Sequence, residues 1–301
     1  MIKIPPYLKK GNTIGITCPA GYMDAAKAQT CINTLQSWGF DVMVGKTLGS
    51  KSKTYFSGTD EERTNELQAM LDDENIDAIL FGRGGYGMGR IIDRLDFTKF
   101  KKKPKWVIGF SDITILHAHL YTKIKVASLH APMAAAFNEG ENEFIQSLHK
   151  AMLGKKAKYS CAAHAFNKPG SATAELVGGN LCLLAHIIGT PSDLNSKNKI
   201  LFLEDIGEQI YNTDRLLYQL KRSGKLANLA GLIVGGFTDT KDTDRPFGKT
   251  VCEVIQEITA EYNYPVAYGF PVSHGEENYA LKVGVNYTLK ITKAKTQLSE
   301  V

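Results

Sequence analysis

The chain has 301 residues, of which 43% are hydrophobic and 22% charged, and its formal net charge is +5. This composition is typical of a soluble globular protein with room for two domains, and it excludes a disordered chain. No run approaches the roughly 18 apolar residues of a membrane span, and the first residues lack the apolar core of a secretory signal. We therefore expect a cytoplasmic protein without membrane contact.

Cysteine and lysine patterns exclude further classes. The five cysteines are scattered and no pair has the spacing of a zinc or redox motif, so we expect reduced, buried thiols and no metal site. Part of the positive charge lies in the lysine run at 99–105, without the broad basic face of a nucleic-acid binder. This run predicts a solvated loop, and no nucleic-acid partner is expected.

The first half alternates short apolar strands with amphipathic helices. Asp24 is placed to cap a helix that ends at Gly39, and Thr59 with Glu62 has the spacing of a capping box. The predicted strands are 13–17, 40–44, 77–81, 105–108 and 126–129, and the predicted helices are 24–38, 59–71 and 112–121. This alternation favours a parallel sheet covered on both faces, in which ligands bind at the carboxyl ends of the strands.

A polar stretch around Pro169 and Gly170 interrupts this alternation and predicts a domain boundary. We expect an N-terminal α/β domain at 1–158, a linker at 159–170 and a C-terminal domain at 171–301. The later strands are predicted at 173–177, 199–203, 232–234 and 281–291, and the helices at 181–188, 213–222 and 249–262. Their less regular order predicts a mixed α/β, partly barrel-like C-terminal domain.

The first segment that could carry chemistry ends the strand at 105–108. A tight turn holds Gly109, Phe110, Ser111 and Asp112, and a helix follows at once. A serine in such a turn projects its hydroxyl beside helix amides, as a nucleophile requires. Serine is also a favoured N-cap, so the turn by itself leaves both roles open.

A glycine-rich loop at 82–87 follows the strand before that one. Its sequence matches the dinucleotide-binding fingerprint, but that fingerprint is expected after the first strand and this loop follows the third. In addition, no acidic residue lies about 20 positions on to hold a ribose. We interpret it as an oxyanion hole in which the amides of Gly85 and Asp112 point at one developing negative charge. A flexible turn is the alternative. Arg83, in the same loop, is a candidate partner for a substrate carboxylate.

Two further segments supply an acid and a base. Glu204 and Asp205 end the apolar strand at 199–203, where Glu204 could orient an imidazole, although acids at strand ends also serve as simple loop solvation. His274 lies between small residues in a loop and is the preferred base among seven histidines. His130, at a strand end, is the second candidate.

Together these segments resemble the LD-carboxypeptidase family, the serine peptidases that include muramoyl-tetrapeptide carboxypeptidases and the microcin C immunity hydrolase. The resemblance runs nearly end to end. It is carried by five short segments in order, at 83–87, 109–112, 178–181, 203–205 and 271–275.

The resemblance implies a catalytic triad of Ser111 as nucleophile, His274 as base and Glu204. It also implies a flavodoxin-like N-terminal domain, a smaller β-rich C-terminal domain, a homodimer and no cofactor or metal. The substrate would be a murein tetrapeptide that loses its terminal D-alanine, with Arg83 and Gly84 beside the bound peptide.

Three other functions stay open. A microcin-immunity type enzyme would cleave an acyl-sulfamoyl or peptidyl-nucleotide amide and would need aromatic stacking surface. A nucleotide-binding oxidoreductase would use the loop at 82–87 to hold NAD. A non-catalytic ligand-binding protein of two α/β domains is the third.

Overall fold

The structure, a computed structural model, describes all residues from 1 to 301 and divides the chain into two compact units. Unit 1 comprises Met1–Lys155 with Tyr279–Lys282, and unit 2 comprises Lys156–Asn278 with Val283–Val301. The chain therefore leaves unit 1 after Lys155, returns to it for four residues, and leaves it again after Lys282.

Unit 1 is built on a six-stranded sheet. Its strands are β1 (Thr13–Thr17), β2 (Asp41–Val44), β3 (Ala78–Phe81), β4 (Trp106–Gly109), β5 (Ser128–His130) and β11 (Leu281–Val283). They lie in the order β2-β1-β3-β4-β5-β11, and the pairings from β2 through β5 are all parallel. The order 2-1-3-4-5 is that of the flavodoxin-like fold, so the predicted fold of the N-terminal half is confirmed.

The helices of unit 1 are α1 (Gln29–Ser37), α2 (Asp60–Asp72), α3 (Met88–Ile91), α4 (Thr98–Lys102), α5 (Thr114–His119) and α6 (Glu143–Met152). The predicted capping box is present, because Thr59 and Glu62 each bond the other's backbone amide. Asp24 accepts from the Ala26 amide at 2.9 Å, but it begins a 3-10 turn at Ala25–Ala28 that precedes α1. None of the chain's helices combines the length and the apolarity that crossing a membrane would require.

The lysine run is only partly the solvated loop that its sequence predicts. Three of its lysines lie on α4, and Lys105 is only 3% exposed. The Lys105 ammonium donates to the carbonyls of Met70 (2.9 Å) and Asp73 (2.5 Å) at the end of α2. Lys105 therefore caps a helix C-terminus, where a cation is favoured, and its burial lowers its pKa to about 8.

Unit 2 is built on a seven-stranded mixed sheet. Its strands are β6 (Lys158–Ala162), β7 (Gly170–Asn180), β8 (Ile200–Ile206), β9 (Gly231–Thr238), β10 (Val266–Ala267), β12 (Asn286–Ile291) and β13 (Lys295–Glu300), and its helices are α7 (Leu181–His186), α8 (Ile210–Arg222) and α9 (Val251–Thr259). In the order β10-β9-β8-β7-β12-β13-β6, the first four strands run parallel and the last four antiparallel. A bridge between Lys168 and Val266 covers the β10 edge. The predicted mixed α/β, β-rich class is confirmed.

Two stretches differ from their predicted structure. The segment at 159–170, predicted as a linker, contains most of β6, whose alternating exposed side chains suit an edge strand. The single strand predicted at 281–291 is two strands in different sheets, β11 and β12, separated by Gly284 at φ +87°. Tyr279–Lys282, predicted in the C-terminal domain, belong to unit 1.

Candidate active site

Ser111 occupies a strained turn at the carboxyl end of β4. β4 is fully buried in the middle of its sheet, and the chain passes directly from it into a 3-10 turn at Ser111–Ile113 and then α5. Ser111 has φ +62°, one of four positive values at non-glycine residues in the chain. Such a conformation costs an L-residue about 1–2 kcal/mol, and residues held in this way cluster at active sites. A sharp strand-to-helix turn of this kind exposes the side chain at its tip.

The glycine loop lies against this serine because β3 and β4 are parallel neighbours whose carboxyl ends meet at one edge. A Cβ on Gly84 would lie 3.0 Å from the Ser111 hydroxyl and 3.3 Å from the Asp112 amide nitrogen. Gly85 has φ +101°, and a Cβ there would lie 2.9 Å from the Tyr55 hydroxyl. The loop backbone therefore reaches the serine more closely than any side chain would allow.

Side chains with free surface border this loop within unit 1. Arg83 is exposed, and one of its guanidinium nitrogens donates to the Tyr22 carbonyl at 3.0 Å. Tyr55 and Tyr86 are 57% and 51% exposed, and both rings contact Phe56. No sequence motif marks Tyr55, whereas the place of Tyr86 within the glycine-rich loop at 82–87 was a usable signal.

Two histidines near this edge of the sheet are buried inside the unit. His117 is fully buried, and its ring nitrogens lie 2.8 Å from Ser128 Oγ and from the Gly109 carbonyl. Because that carbonyl can only accept, Nε2 donates to it, and burial lowers the His117 pKa to about 4. His130, the second candidate base, is fully buried and packs against Phe110 and His117.

Unit 2 brings Glu204 and His274 together. Glu204, on the buried strand β8, is 0% exposed, and the His274 side chain is 10% exposed. His274 Nδ1 donates to Glu204 Oε2 at 2.5 Å. A carboxylate on Nδ1 places the ring proton there and leaves Nε2 as the basic nitrogen, which is how a triad orients its histidine.

The two adjacent carboxylates of β8 serve different partners because successive side chains of a strand point to opposite faces. Asp205 is 2% exposed and accepts from Asn180 Nδ2 at 2.7 Å and from the Cys182 amide at 3.0 Å. Asn180 in turn caps α7 by accepting from the Leu183 amide. Asp205 therefore ties the end of β8 to the turn between β7 and α7, while Glu204 meets the histidine.

The His274 loop is held by its contact with β9. The Gly236 amide donates to the Val272 carbonyl at 2.9 Å, and a Cβ on Gly235 would lie 2.1 Å from that same oxygen. Ser273 is buried, and its hydroxyl donates to the Glu277 carbonyl (2.9 Å) and accepts from the Gly275 amide (3.0 Å). These contacts constrain the backbone on both sides of the imidazole.

The raised pKa of the Asp205 carboxyl predicts that the free energy of unfolding depends on pH. Burial raises the pKa of its carboxyl to about 6 from the ordinary 3.8. Between those values the folded protein binds more protons there than the unfolded chain, so this group's contribution to the free energy of unfolding falls as pH rises. In Asp205→Asn that loss is absent. We expect its stability relative to wild type to increase by roughly 2–3 kcal/mol from about pH 4 to about pH 7.

Urea denaturation of both proteins across that range measures the difference. The acceptor lost in the variant adds an offset that does not vary with pH. A stability difference that stays constant with pH would contradict the raised pKa.

The predicted residues thus fall into two groups. Arg83, Gly84, Gly85, Ser111 and Asp112 lie together in unit 1, and Glu204 and His274 lie together in unit 2. Sequence reasoning assigned no positioning role to the groups that hold them, which are Asn180, Asp205, Gly235, Gly236 and Ser273. Nowhere in the chain do three or more histidine, cysteine, aspartate or glutamate side chains cluster as a metal ion would require.

Both halves of the chain match known domains. Residues 14–131 match the LD-carboxypeptidase N-terminal domain, and residues 173–289 match the LD-carboxypeptidase C-terminal domain. The chain is 33% identical to a probable murein peptide carboxypeptidase of Bacillus subtilis (strain 168), over 98% of this chain and 94% of that protein. It is 27% identical to the microcin C7 self-immunity protein MccF of Escherichia coli, over 97% and 94%.

Among solved structures, muramoyltetrapeptide carboxypeptidase from Oxalobacter formigenes is similar, with a TM-score of 0.88 and 29% identity over 96% of this chain and 98% of that one. The domain matches cover most of the chain, in the order that the five short segments predict. The predicted resemblance is confirmed: the chain belongs to the LD-carboxypeptidase family.

Proposed function

We propose that this protein is a serine-type L,D-carboxypeptidase that releases the terminal D-alanine of murein tetrapeptides. The observation that carries the proposal is the buried Glu204–His274 pair in unit 2, together with the strained serine turn in unit 1. A carboxylate-oriented imidazole has its common catalytic use in activating a hydroxyl nucleophile. Names of relatives, including the murein peptide carboxypeptidase of Bacillus subtilis, support the substrate class.

In the first half of the proposed reaction, Nε2 of neutral His274 takes the hydroxyl proton of Ser111 while Oγ bonds to the scissile carbonyl carbon. Glu204 keeps the ring proton on Nδ1 and stabilises the imidazolium. The amides of Gly85 and Asp112 bind the oxyanion of the tetrahedral intermediate. The carbon–nitrogen bond then breaks, and His274 gives its proton to the departing D-alanine amine.

In the second half, water attacks the ester between Ser111 and the peptide. His274 accepts the water proton and returns it to Oγ as the ester bond breaks, which regenerates the free serine. The peptide leaves with a new terminal carboxylate. Every step uses only water and the side chains and backbone amides of this chain, so we expect chelators to leave the rate unchanged.

We further propose that Arg83 binds the terminal carboxylate of the substrate. Its guanidinium is exposed beside Gly84 and Gly85, and one donor is occupied by the Tyr22 carbonyl. The fork of remaining donors suits a carboxylate. A tetrapeptide with an amidated C-terminus should therefore be a poor substrate, and Arg83→Gln should reduce the preference for the free acid.

The experiment is D-alanine release from purified tetrapeptide, with and without EDTA. The expected result is stoichiometric D-alanine at a rate that EDTA leaves unchanged. Absence of release would contradict the proposed substrate, and a large loss with EDTA would contradict the metal-independent mechanism. A tetrapeptide ending in L-alanine is the matched control, since the same bond type with the opposite stereochemistry should not be cut.

One observation favours a second candidate, hydrolysis of an aminoacyl-sulfamoyl nucleotide. Exposed Tyr55 and Tyr86 rings border the glycine loop and could stack on a nucleobase. The two tryptophans offer no such surface there, because Trp106 is buried against Tyr7 and Trp38 stacks on His149. Release of sulfamoyl adenosine from its aspartyl amide, faster than release of D-alanine, would establish this activity instead.

The NAD-dependent alternative meets a steric objection. Gly84 faces the Ser111 hydroxyl at contact distance, so the loop backbone is already packed against a side chain. We expect no thermal shift with NAD.

A cytoplasmic location, a homodimer and a role in recycling cell-wall peptides complete the proposal. Sedimentation analysis measures the oligomeric state, and a monomer at micromolar concentration would contradict the dimer. Cell fractionation tests the location. Accumulation of tetrapeptide on deletion of the gene is the expected sign of the recycling role.

A further inference from the structure

A buried arginine and a buried aspartate hold the two polar groups of the peptide bond between Gly87 and Met88, where the glycine loop ends. Arg63 on α2 is 0% exposed, and its Nη1 donates to the Gly87 carbonyl at 3.3 Å. Asp112 is 1% exposed, and its Oδ2 accepts from the Met88 amide at 2.7 Å. The peptide bond that ends the loop is therefore held at its carbonyl by Arg63 and at its amide by Asp112.

Gly87 accepts this placement only because it has no side chain. Its φ is +155°, and a Cβ would lie 2.7 Å from Arg63 Nη1 and 2.9 Å from the Ala20 Cα. Arg63 Nη1 also donates to the Pro19 carbonyl at 2.5 Å, which ties the loop after β1 to the same point. One guanidinium thus joins the chain segments that follow β1 and β3.

Burying the charged side chains of Arg63 and Asp112 costs folding free energy. Burial raises the pKa of the Asp112 carboxyl to about 6, against the backbone hydrogen bonds and the charge of Arg63. Burial likewise lowers the pKa of Arg63, against the ion pair with Asp60. Buried charged groups contribute little net stability, but their hydrogen bonds fix the backbone groups that they contact. That geometry here belongs to the loop that packs on Ser111.

The backbone amide and the side-chain carboxylate of Asp112 contact different parts of the site. Its amide nitrogen would lie 3.3 Å from a Cβ on Gly84, beside the Ser111 hydroxyl. Its carboxylate binds the far end of the loop that contains Gly84 and Gly85. A single residue therefore connects the serine turn with the glycine loop, and the spacing between the two proposed oxyanion donors depends on it.

We propose that Arg63 and Asp112 act through their side chains as positioning residues, which set the glycine loop at the distance from Ser111 that the oxyanion hole requires. This role rests on the proposed hydrolase function. We call the Arg63 and Asp112 side chains the clamp. Loss of the clamp should lower the rate of acyl transfer while substrate binding is nearly unchanged, because the oxyanion forms only on the way to the intermediate.

The test uses the full chain with Asp112→Ala, and Asp96→Ala as the matched control. Asp96 likewise accepts a backbone amide in unit 1, from Thr98, but at an exposed helix start. For Asp112→Ala we expect about a hundredfold lower kcat for D-alanine release, with KM within threefold. The Met88 amide should lose its protection from hydrogen exchange. Asp96→Ala should match wild type in all three.

A third measurement separates this proposal from the proposed function. A fluorophosphonate labels an activated serine and places its phosphoryl oxygen in the oxyanion hole, whatever the natural substrate. Labelling of Ser111 should slow in Asp112→Ala in parallel with kcat. If the wild-type protein labels rapidly but releases no D-alanine, the proposed substrate is wrong. The labelling rate and the Met88 exchange rate of Asp112→Ala then still decide whether the clamp exists.

The positioning role would be overturned if Asp112→Ala labelled as fast as wild type, kept the wild-type kcat and still protected the Met88 amide from exchange. If Asp112→Ala does not fold, Asp112→Asn decides by the same readouts. Its carbonyl keeps one acceptor, so we expect a three- to tenfold loss of kcat and faster Met88 exchange; no change in either overturns the proposal. Arg63→Lys, which keeps the charge but not the spread of donors, should reproduce the kcat loss without a change in KM.

Discussion

Ser111→Ala is expected to lower D-alanine release by a factor of about 10⁵ or more, while the protein stays folded. Removing the nucleophile of a serine triad leaves only the acceleration that the oxyanion hole and binding provide. The Ser111 side chain is half-buried, so its hydroxyl makes a small contribution to packing. Turnover measured at high enzyme concentration, with fluorophosphonate labelling as a second readout, checks this. An alanine variant within tenfold of wild type would end the triad proposal.

A second substitution at this position separates chemistry from strain. Ser111→Gly should be equally inactive, but its free energy of unfolding should exceed that of Ser111→Ala by about 1 kcal/mol. The reason is the φ of +62°, which a glycine adopts without the clash that any Cβ causes. Urea denaturation of the two inactive variants measures the difference. Equal stability would mean that the serine turn is not strained in solution.

Glu204→Gln is expected to reduce kcat by about 10³ to 10⁴, with little change in KM. The glutamine amide can no longer stabilise the imidazolium, and with its nitrogen toward the ring it favours the tautomer whose proton is on Nε2. That nitrogen could not then accept the serine proton. An aspartate-to-asparagine change at the matching place in a serine protease triad costs about 10⁴ in kcat.

Asp205→Asn is the matched control for this change, since it alters the neighbouring carboxylate of the same strand. Asp205 bonds Asn180 and the Cys182 amide, with no contact to the imidazole among its hydrogen bonds. We expect its kcat to fall less than tenfold. A larger loss in Asp205→Asn than in Glu204→Gln would reverse the assignment of the two carboxylates.

Local sequence patterns were sufficient for much of the fold of unit 1. The strand at 13–17 has the predicted bounds, and the capping box at Thr59 forms as its spacing predicts. Both follow from interactions within a few residues, so their energetics are present in the local sequence. The same holds for the placement of the glycine loop and of Ser111 after neighbouring strands, since parallel strands present their carboxyl ends at one edge.

Long-range pairing was beyond such patterns. The run at 281–291 reads as one strand, yet Leu281–Val283 joins the sheet of unit 1 and Asn286–Ile291 that of unit 2. Lys105 sits in a run that reads as solvated, yet it is buried at the end of α2. Each outcome depends on which distant backbone groups need a partner, and no local window contains that information.

What the sequence by itself determined, then, is the family of the chain and the strand ends at which Ser111, Glu204 and the glycine loop lie. Only the tertiary structure decided which carboxylate of β8 meets His274, which backbone conformation Ser111 adopts, and that Arg63 and Asp112 hold the peptide bond after Gly87 between them. Because successive side chains of a strand lie on opposite faces of the sheet, Glu204 and Asp205 point in opposite directions. Which residues each of them contacts depends on the packing of other segments. Catalytic geometry of this kind is set by contacts between segments far apart in the chain, whose positions are fixed when the core closes.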